Sequence, residues 1–234
     1  MCRKRMLVLA NSIKRGAHCV AGRELIDQDG KYVLGPWIRP ISKHGQGELT
    51  SDEVTLTCRR EVNVLDFIEM PLTGHAEDSF QPENWYIRGP RSWSDVSDRY
   101  APYKVEWLEV NPQNLWLEPG NKIDRVSHER LRVNPPRHSL YVIRPSEFRI
   151  RLYTDDRSDR KRQRAVFRYN CVTYNLPLTD PMVSGRYRWR TPPSGDRPSE
   201  FRLSCGDDLL ICVSLAGEWE GHHYKVVANV FEDA

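Results

Sequence analysis

Prolines and glycines puncture this chain from end to end, sixteen of the former and fourteen of the latter among 234 residues. Proline removes a backbone donor and fixes φ, and glycine weakens any regular element, so long helices have no stretch in which to form. Many short strands joined by turns fit instead, which gives an all-β or β-rich fold class with short helices at most. The apolar runs agree. Residues 5–10 (RMLVLA) stop at Asn11-Ser12, as a buried first strand does. Residues 32–41 are aromatic and β-branched, and Gly35, Pro36 and Pro40 place them on an edge or interrupt them with a bulge. Residues 64–72 (VLDFIEMPL) alternate apolar and acidic side chains, the pattern of a half-exposed strand, and 84–87 make another short candidate.

Further along, strands are expected at 140–143 and 148–152, the latter with Arg149 and Arg151 on one face. Residues 165–169 and 171–176 suit a hairpin around Asn170. The last two strands fall at 209–215 and 224–231, joined by 216–223. The length suffices for two small domains, and the Pro-rich stretch 133–137 (VNPPR) is the expected linker between domains at 1–132 and 138–234. Residues 155–164 read as a charged hairpin tip, and 191–199 as a loose stretch.

Charge is uneven. Residues 1–120 hold 15 Lys/Arg against 17 Asp/Glu, whereas 121–234 hold 20 against 15, so the basic excess belongs to the second half. Such a field steers an anionic partner without identifying it. No window approaches the roughly 18 uninterrupted apolar residues that cross a bilayer. The apolar stretch 6–10 is too short for a signal peptide, so a cytoplasmic protein with no membrane partner is expected. The six cysteines (2, 19, 58, 171, 205, 212) form no CxxC pair and read as reduced thiols, mostly in the core. Cys205 and Cys212 with His222-His223 lack the close pair that marks a zinc site, so no metal or cofactor is expected. The phosphate-loop pattern GxxxxGK[ST] is absent and no nucleophile motif stands out, so the chain reads as no enzyme.

Several strings resemble a known family. Residues 7–16 (LVLANSIKRG) with 19–24 (CVAGRE), and Trp37-Ile38-Arg39-Pro40, resemble the start of the prokaryotic dual OB-fold domain family. Residues 174–181 (YNLPLTDP) and 221–228 (GHHYKVVA) resemble its second half, so the likeness covers nearly the whole chain. It implies two tandem OB-like barrels and a role in binding or sensing nucleic acid, often in bacterial genome-defence settings. No catalytic residues come with it.

Candidate ligand residues follow from the residues and the resemblance together. Asn11, Ser12, Lys14, Arg15 and Arg23 crowd the segment 11–24, which is either a ligand loop or a turn whose polar groups satisfy its own backbone. Arg39 and Lys225 sit in the resembling strings. Arg149 and Arg151, with Arg164, Arg168, Tyr153, Phe167 and Tyr169, make a basic-aromatic region of which one face must be core, or else a solvated hairpin. Arg186, Arg188 and Arg190 interleave with Tyr187 and Trp189; as a strand they would put the arginines on one side. Asp180 before Pro181 is most simply a cap, and alternatively orients an arginine or meets a base. The expected function is a non-catalytic module that binds nucleic acid, single-stranded DNA or RNA ahead of duplex. The alternatives are a nucleotide or small-ligand sensor, or a protein-interaction subunit.

Overall fold

The computed structural model describes residues 2–14, 16–29, 31–78, 80–100, 108–116, 124–203 and 209–232. It divides into two units, 1–103 and 104–234.

The first unit is a closed five-strand barrel. Strand β1 (Cys2–Lys14) pairs antiparallel with β2 (Ala17–Gln28), which pairs with β3 (Lys31–Ile41). The capped turn α1 (Ser51–Val54) then leads to β4 (Phe67–His75) and β5 (Asn84–Ile87). The order β1-β2-β3-β5-β4 closes because residues 2–7 of β1 also pair with β4. The contact between β3 and β5 is parallel. A two-residue strand, β6 (Ser94–Asp95), adds to the outer edge of β4.

Local chemistry accounts for these elements. The run Met6 to Ala10 is buried throughout, and a register break between Val8 and Ala10 lets one strand serve two neighbours. That crossing requires glycine at position 22, where a Cβ would stand 2.0 Å from the carbonyl oxygen of Leu7. Thr50 and Glu53 cap α1 reciprocally, each side chain taking the other's backbone N–H. The interruption expected in 32–41 is a bulge: Arg23 and Leu25 of β2 face Trp37 and Leu34, leaving Gly35-Pro36 as the extra length. The strand expected at 64–72 begins only at Phe67, since Leu65 adopts φ +70 and turns the chain.

The second unit is a half-barrel of two four-stranded sheets over one core. Strand β7 (Arg125–Ser127) and helix α2 (His128–Val133) precede β8 (Leu140–Ile143). The sheet pair is completed by β9 (Ser146–Asp155), β10 (Arg160–Tyr169), β11 (Val172–Pro177), helix α3 (Pro181–Tyr187), β12 (Ser199–Arg202), β13 (Leu210–Trp219) and β14 (His222–Phe231). One sheet runs β11-β10-β9-β12 and the other β7-β14-β13-β8. Strands β8 and β9 together repeat the part β1 plays, one half pairing with β13 and the other with β10. Pro145, which has no N–H to donate, falls at the break between them. A parallel bridge between Leu178 and Val227 echoes the parallel β3–β5 contact. Phe148, Phe167 and Tyr174 stack in the core, with Ile211, Val213 and Val227 opposite. Each such buried side chain contributes roughly 1.5–3 kcal/mol.

Several expectations change here. The stretch 133–137, read as the linker, lies inside the second unit, because β7 upstream of it pairs with β14. Residues 216–223 are not a long connection: Glu220 and Gly221 take φ +49 and +75, a two-residue turn that lets both strands extend. The hairpin at Asn170 is as expected, with Asn170 and Cys171 at φ +46 and +63. Of the cysteines read as core, Cys2, Cys58 and Cys171 are exposed while Cys212 is buried. Cys205 lies outside the described residues.

Candidate nucleic-acid interface

Cross-strand register, more than any motif, assembles the most basic surface. On β9 the inward residues Phe148, Ile150 and Leu152 leave Arg149, Arg151 and Tyr153 on the outer face. On β10, Arg160, Arg162 and Arg164 stand opposite Asp155, Tyr153 and Arg151, and Arg168 continues the outer row beyond Val166. Edge strand β12 places Glu200 opposite Arg151 and Arg202 opposite Arg149. Seven arginines thereby share one face of one sheet. Neighbouring strands lie roughly 4.8 Å apart and alternate residues on a strand roughly 7 Å apart, so the guanidiniums form a grid.

Among the described residues, salt bridges on this face draw in four carboxylates. Glu200 meets Arg149 at 3.1 Å and Arg151 at 4.0 Å. Asp155 lies 3.9 Å from Arg162, Asp124 3.7 Å from Arg164, and Glu147 3.6 Å from Arg168. The hydroxyl and backbone N–H of Ser158 hold the Asp155 carboxyl below its ordinary range. Arg164 also donates from Nε to Asn175 Oδ1 at 2.6 Å. The carboxylates separate neighbouring cations, and the surplus of positive charge faces solvent.

The remaining predicted residues fall in different places. The segment 11–24 is not a loop: it is the β1–β2 hairpin, with Asn11 opposite Val20 and Ser12 opposite Cys19. Asn11 is buried, donating from Nδ2 to the Val62 carbonyl at 2.8 Å while its Oδ1 meets His18 Nδ1 at 2.9 Å. Ser12 is buried as well. Arg15 and the side chain of Lys14 lie outside the described residues. Arg23 donates to the Gly35 carbonyl at 2.5 Å and sits over the Trp37 ring. Arg39 is buried against Glu83 at 3.2 Å. These side chains hold the first barrel together, which accounts for their polarity without a ligand.

In the second unit, Lys225 is fully buried, its ammonium 5.9 Å from the Tyr174 ring centre, and therefore has no open side to offer. Asp180 is 1% exposed and works as the expected cap. Its Oδ1 accepts from Met182 N at 2.8 Å and Val183 N at 3.1 Å, and its Oδ2 from Val230 N at 2.9 Å. Burial nevertheless pushes its carboxyl above the ordinary range. Residues 186–190 are not a strand. The cap and Pro181 start α3, which runs into a 3-10 turn over Arg188–Arg190, and this local signal overrides the alternation of the letters. Arg186 pairs with Glu232 at 2.7 Å, Arg188 is exposed, and Arg190 stacks on aromatic rings. Phe167 and Tyr169 belong to the core, as one face of that region had to.

Sequence reading passed over Arg160, Arg162 and Arg202. The period-two spacing of Arg160, Arg162 and Arg164 was a usable signal, obscured by reading the stretch as a hairpin tip. Nothing local foretold that Arg202 stands beside Arg149.

A closed barrel with order β1-β2-β3-β5-β4 and a capped helical turn before β4, followed by a half-barrel of the same plan, defines a tandem OB-type protein. The model of the dual OB-containing domain family matches residues 4–230, and the chain belongs to that family. No curated protein and no solved structure matches it. Among the described residues, no helix is long and apolar enough to cross a membrane.

Proposed function

We propose that this protein is a non-catalytic nucleic-acid-binding module whose second unit supplies the main contact surface. The observation that carries the reading is the grid of seven arginines on the outer face of β9, β10 and β12. OB-type units bind oligonucleotides on the face of their second and third strands and the flanking loops, and β10, which carries four of the seven arginines, is the second strand of this unit. A row of guanidiniums on that face tracks a phosphate backbone, and the carboxylates between them yield to phosphates on binding.

Fluorescence anisotropy tests this directly. The purified, nuclease-treated chain is titrated with labelled single-stranded and duplex DNA and RNA at two salt concentrations. Each phosphate neutralised adds roughly 0.7 to 0.9 to the slope of log affinity against log salt. The double variant Arg160→Glu/Arg162→Glu is expected to bind more weakly with a shallower slope. Affinity indifferent to salt and to that variant would remove the reading.

A second reading rests on a cavity of about 470 Å³ between the β8–β9 break and the β10–β11 turn, where Arg144 and Arg168 face Glu109 and Glu147. It suits a small charged ligand. Thermal stabilisation by a free nucleotide, lost on Arg144→Ala, would favour it.

A further inference from the structure

Helix α3 packs one side into the half-barrel and leaves the other uncovered. Val183 is buried in the core, and Tyr187, four residues on, packs against that core together with Phe201. These contacts lie on the core side of the sheet, so the helix stands apart from the arginine row on the outer face. The opposite side of α3 and of the 3-10 turn Arg188–Arg190 carries Met182, Gly185 and Trp189, spaced i, i+3 and i+7. Met182 is 75% exposed and Trp189 72%, more than any other large apolar side chain among the described residues. Seven residues of helix rise roughly 10 Å, so the two stand two turns apart. Between them, a Cβ added at Gly185 would meet nothing within 4 Å. The result is an open notch over the helix backbone, walled by a thioether at one end and an indole at the other.

The indole wall is fixed in place. Trp189 Nε1 donates to the Arg186 carbonyl at 3.0 Å, and the Arg190 guanidinium lies 4.8 Å from the ring centre. The same guanidinium lies 5.2 Å from Phe201 and 5.6 Å from Tyr187, which ties the exposed ring to the core. A side chain already ordered loses little further freedom when a partner covers it. The rim is basic. Arg186 meets Glu232 at 2.7 Å, whereas Arg188 and Arg190 make no ion pair among the described residues.

We propose that this notch docks a short amphipathic segment of a partner protein, one apolar side chain seated over Gly185 and flanking carboxylates meeting Arg188 and Arg190. The proposal goes beyond the arginine row and does not depend on it. Met, Trp and Arg are the residue types that protein interfaces enrich. A nucleic-acid strand has no use for Met182, whose thioether neither donates a hydrogen bond nor pairs with charge. An apolar side chain in the notch removes Met182 and Trp189 from water together. The guanidiniums on the rim then select acidic neighbours and reject basic ones.

The test is a selection from a random peptide library displayed on phage, with the full chain as target and Met182→Ala/Trp189→Ala for counter-selection. The enriched peptides should carry a large apolar residue flanked by Asp or Glu. Their affinity for the parent, read by fluorescence anisotropy, should fall about thirtyfold on Trp189→Ala, the size of an interface hot spot. Arg188→Glu should weaken them as well, and Arg160→Glu/Arg162→Glu should not. Gly185→Leu separates docking from folding: it fills the notch from a helical position with open space above it. It should therefore keep thermal stability at or above the parent's while abolishing most of the peptide binding. No peptide held more tightly by the parent than by the double variant would overturn the proposal, as would enriched peptides without carboxylates. Displacement of the peptide by an oligo-dT strand whose own binding is lost in Trp189→Ala would also overturn it, and would assign the notch to nucleic acid.

Discussion

The two units share a strand plan and differ in how they use charge. Residues 1–103 carry 14 Lys/Arg and 14 Asp/Glu, whereas 104–234 carry 21 against 18. In the first barrel cations meet carboxylates at close range: Lys4 with Glu24 at 2.7 Å and Arg3 and Arg5 with Glu69 at 2.9 and 3.0 Å on the sheet, and Arg60 with Asp66 at 2.5 Å in the connection before β4. On the arginine face of the half-barrel the pairs are longer, from 3.1 to 4.0 Å, and four carboxylates stand among seven arginines. One plan therefore yields a neutral, internally paired framework and a basic surface. The difference lies in which residues register opposite one another.

Four predictions strain that comparison, beginning with the largest effect. Gly22→Val forces a Cβ into the Leu7 carbonyl and should destabilise the first unit by about 3 kcal/mol or more, the upper range of overpacking. Backbone NMR should show the losses concentrated in β1, β2 and β4. Unchanged resonances there would mean that the close crossing is not needed. Asp180→Ala takes the carboxylate acceptor away from three backbone N–H groups of the second unit and should cost about 1–3 kcal/mol in chemical denaturation. Asp180→Asn, which keeps an oxygen at the cap, should lose less.

Charge reversal then separates surface from framework. Arg160→Glu/Arg162→Glu should weaken single-strand affinity by about tenfold or more at low salt. Lys4→Glu in the first unit should leave that affinity unchanged and lower stability instead. The reverse pattern would assign the interface to the first barrel.

The smallest effect is on acid stability. Arg5 and Arg3 hold the Glu69 carboxyl below its ordinary value, and Ser97 with Arg60 does the same for Asp95. For such groups the unfolded chain binds more protons in acid, so stability is present above the unfolded values near 4.5 and 3.8 and is lost as pH falls through the lower folded ones. Asp180 has the opposite sign: its raised carboxyl disfavours the folded form above its folded pKa, and the penalty is relieved as pH falls. An NMR pH titration should therefore loosen the strands around Glu69 and Asp95 before the α3 cap. Simultaneous loss would show that these carboxylates do not set the order.

What the sequence determined by itself were the features written in neighbouring residues. Alternation on 148–152 put Arg149 and Arg151 on one face, Asn170 marked its turn, and Asp180-Pro181 marked a cap. Prolines and glycines denied long helices, and the strings at both ends pointed to the tandem OB plan. Each rests on interactions within a few residues of chain. Tertiary structure decided the rest. It turned Asn11 and Arg39 inward, buried Lys225 beside Tyr174, and carried β7 across to β14 so that the units divide near residue 103. Above all, it set Arg202 beside Arg149 by pairing strands distant in sequence, and it brought Arg190 over the Phe201 ring. A shift of one residue in a strand's register moves every side chain to the opposite face, so only the long-range pairing could fix which charges meet and which remain open.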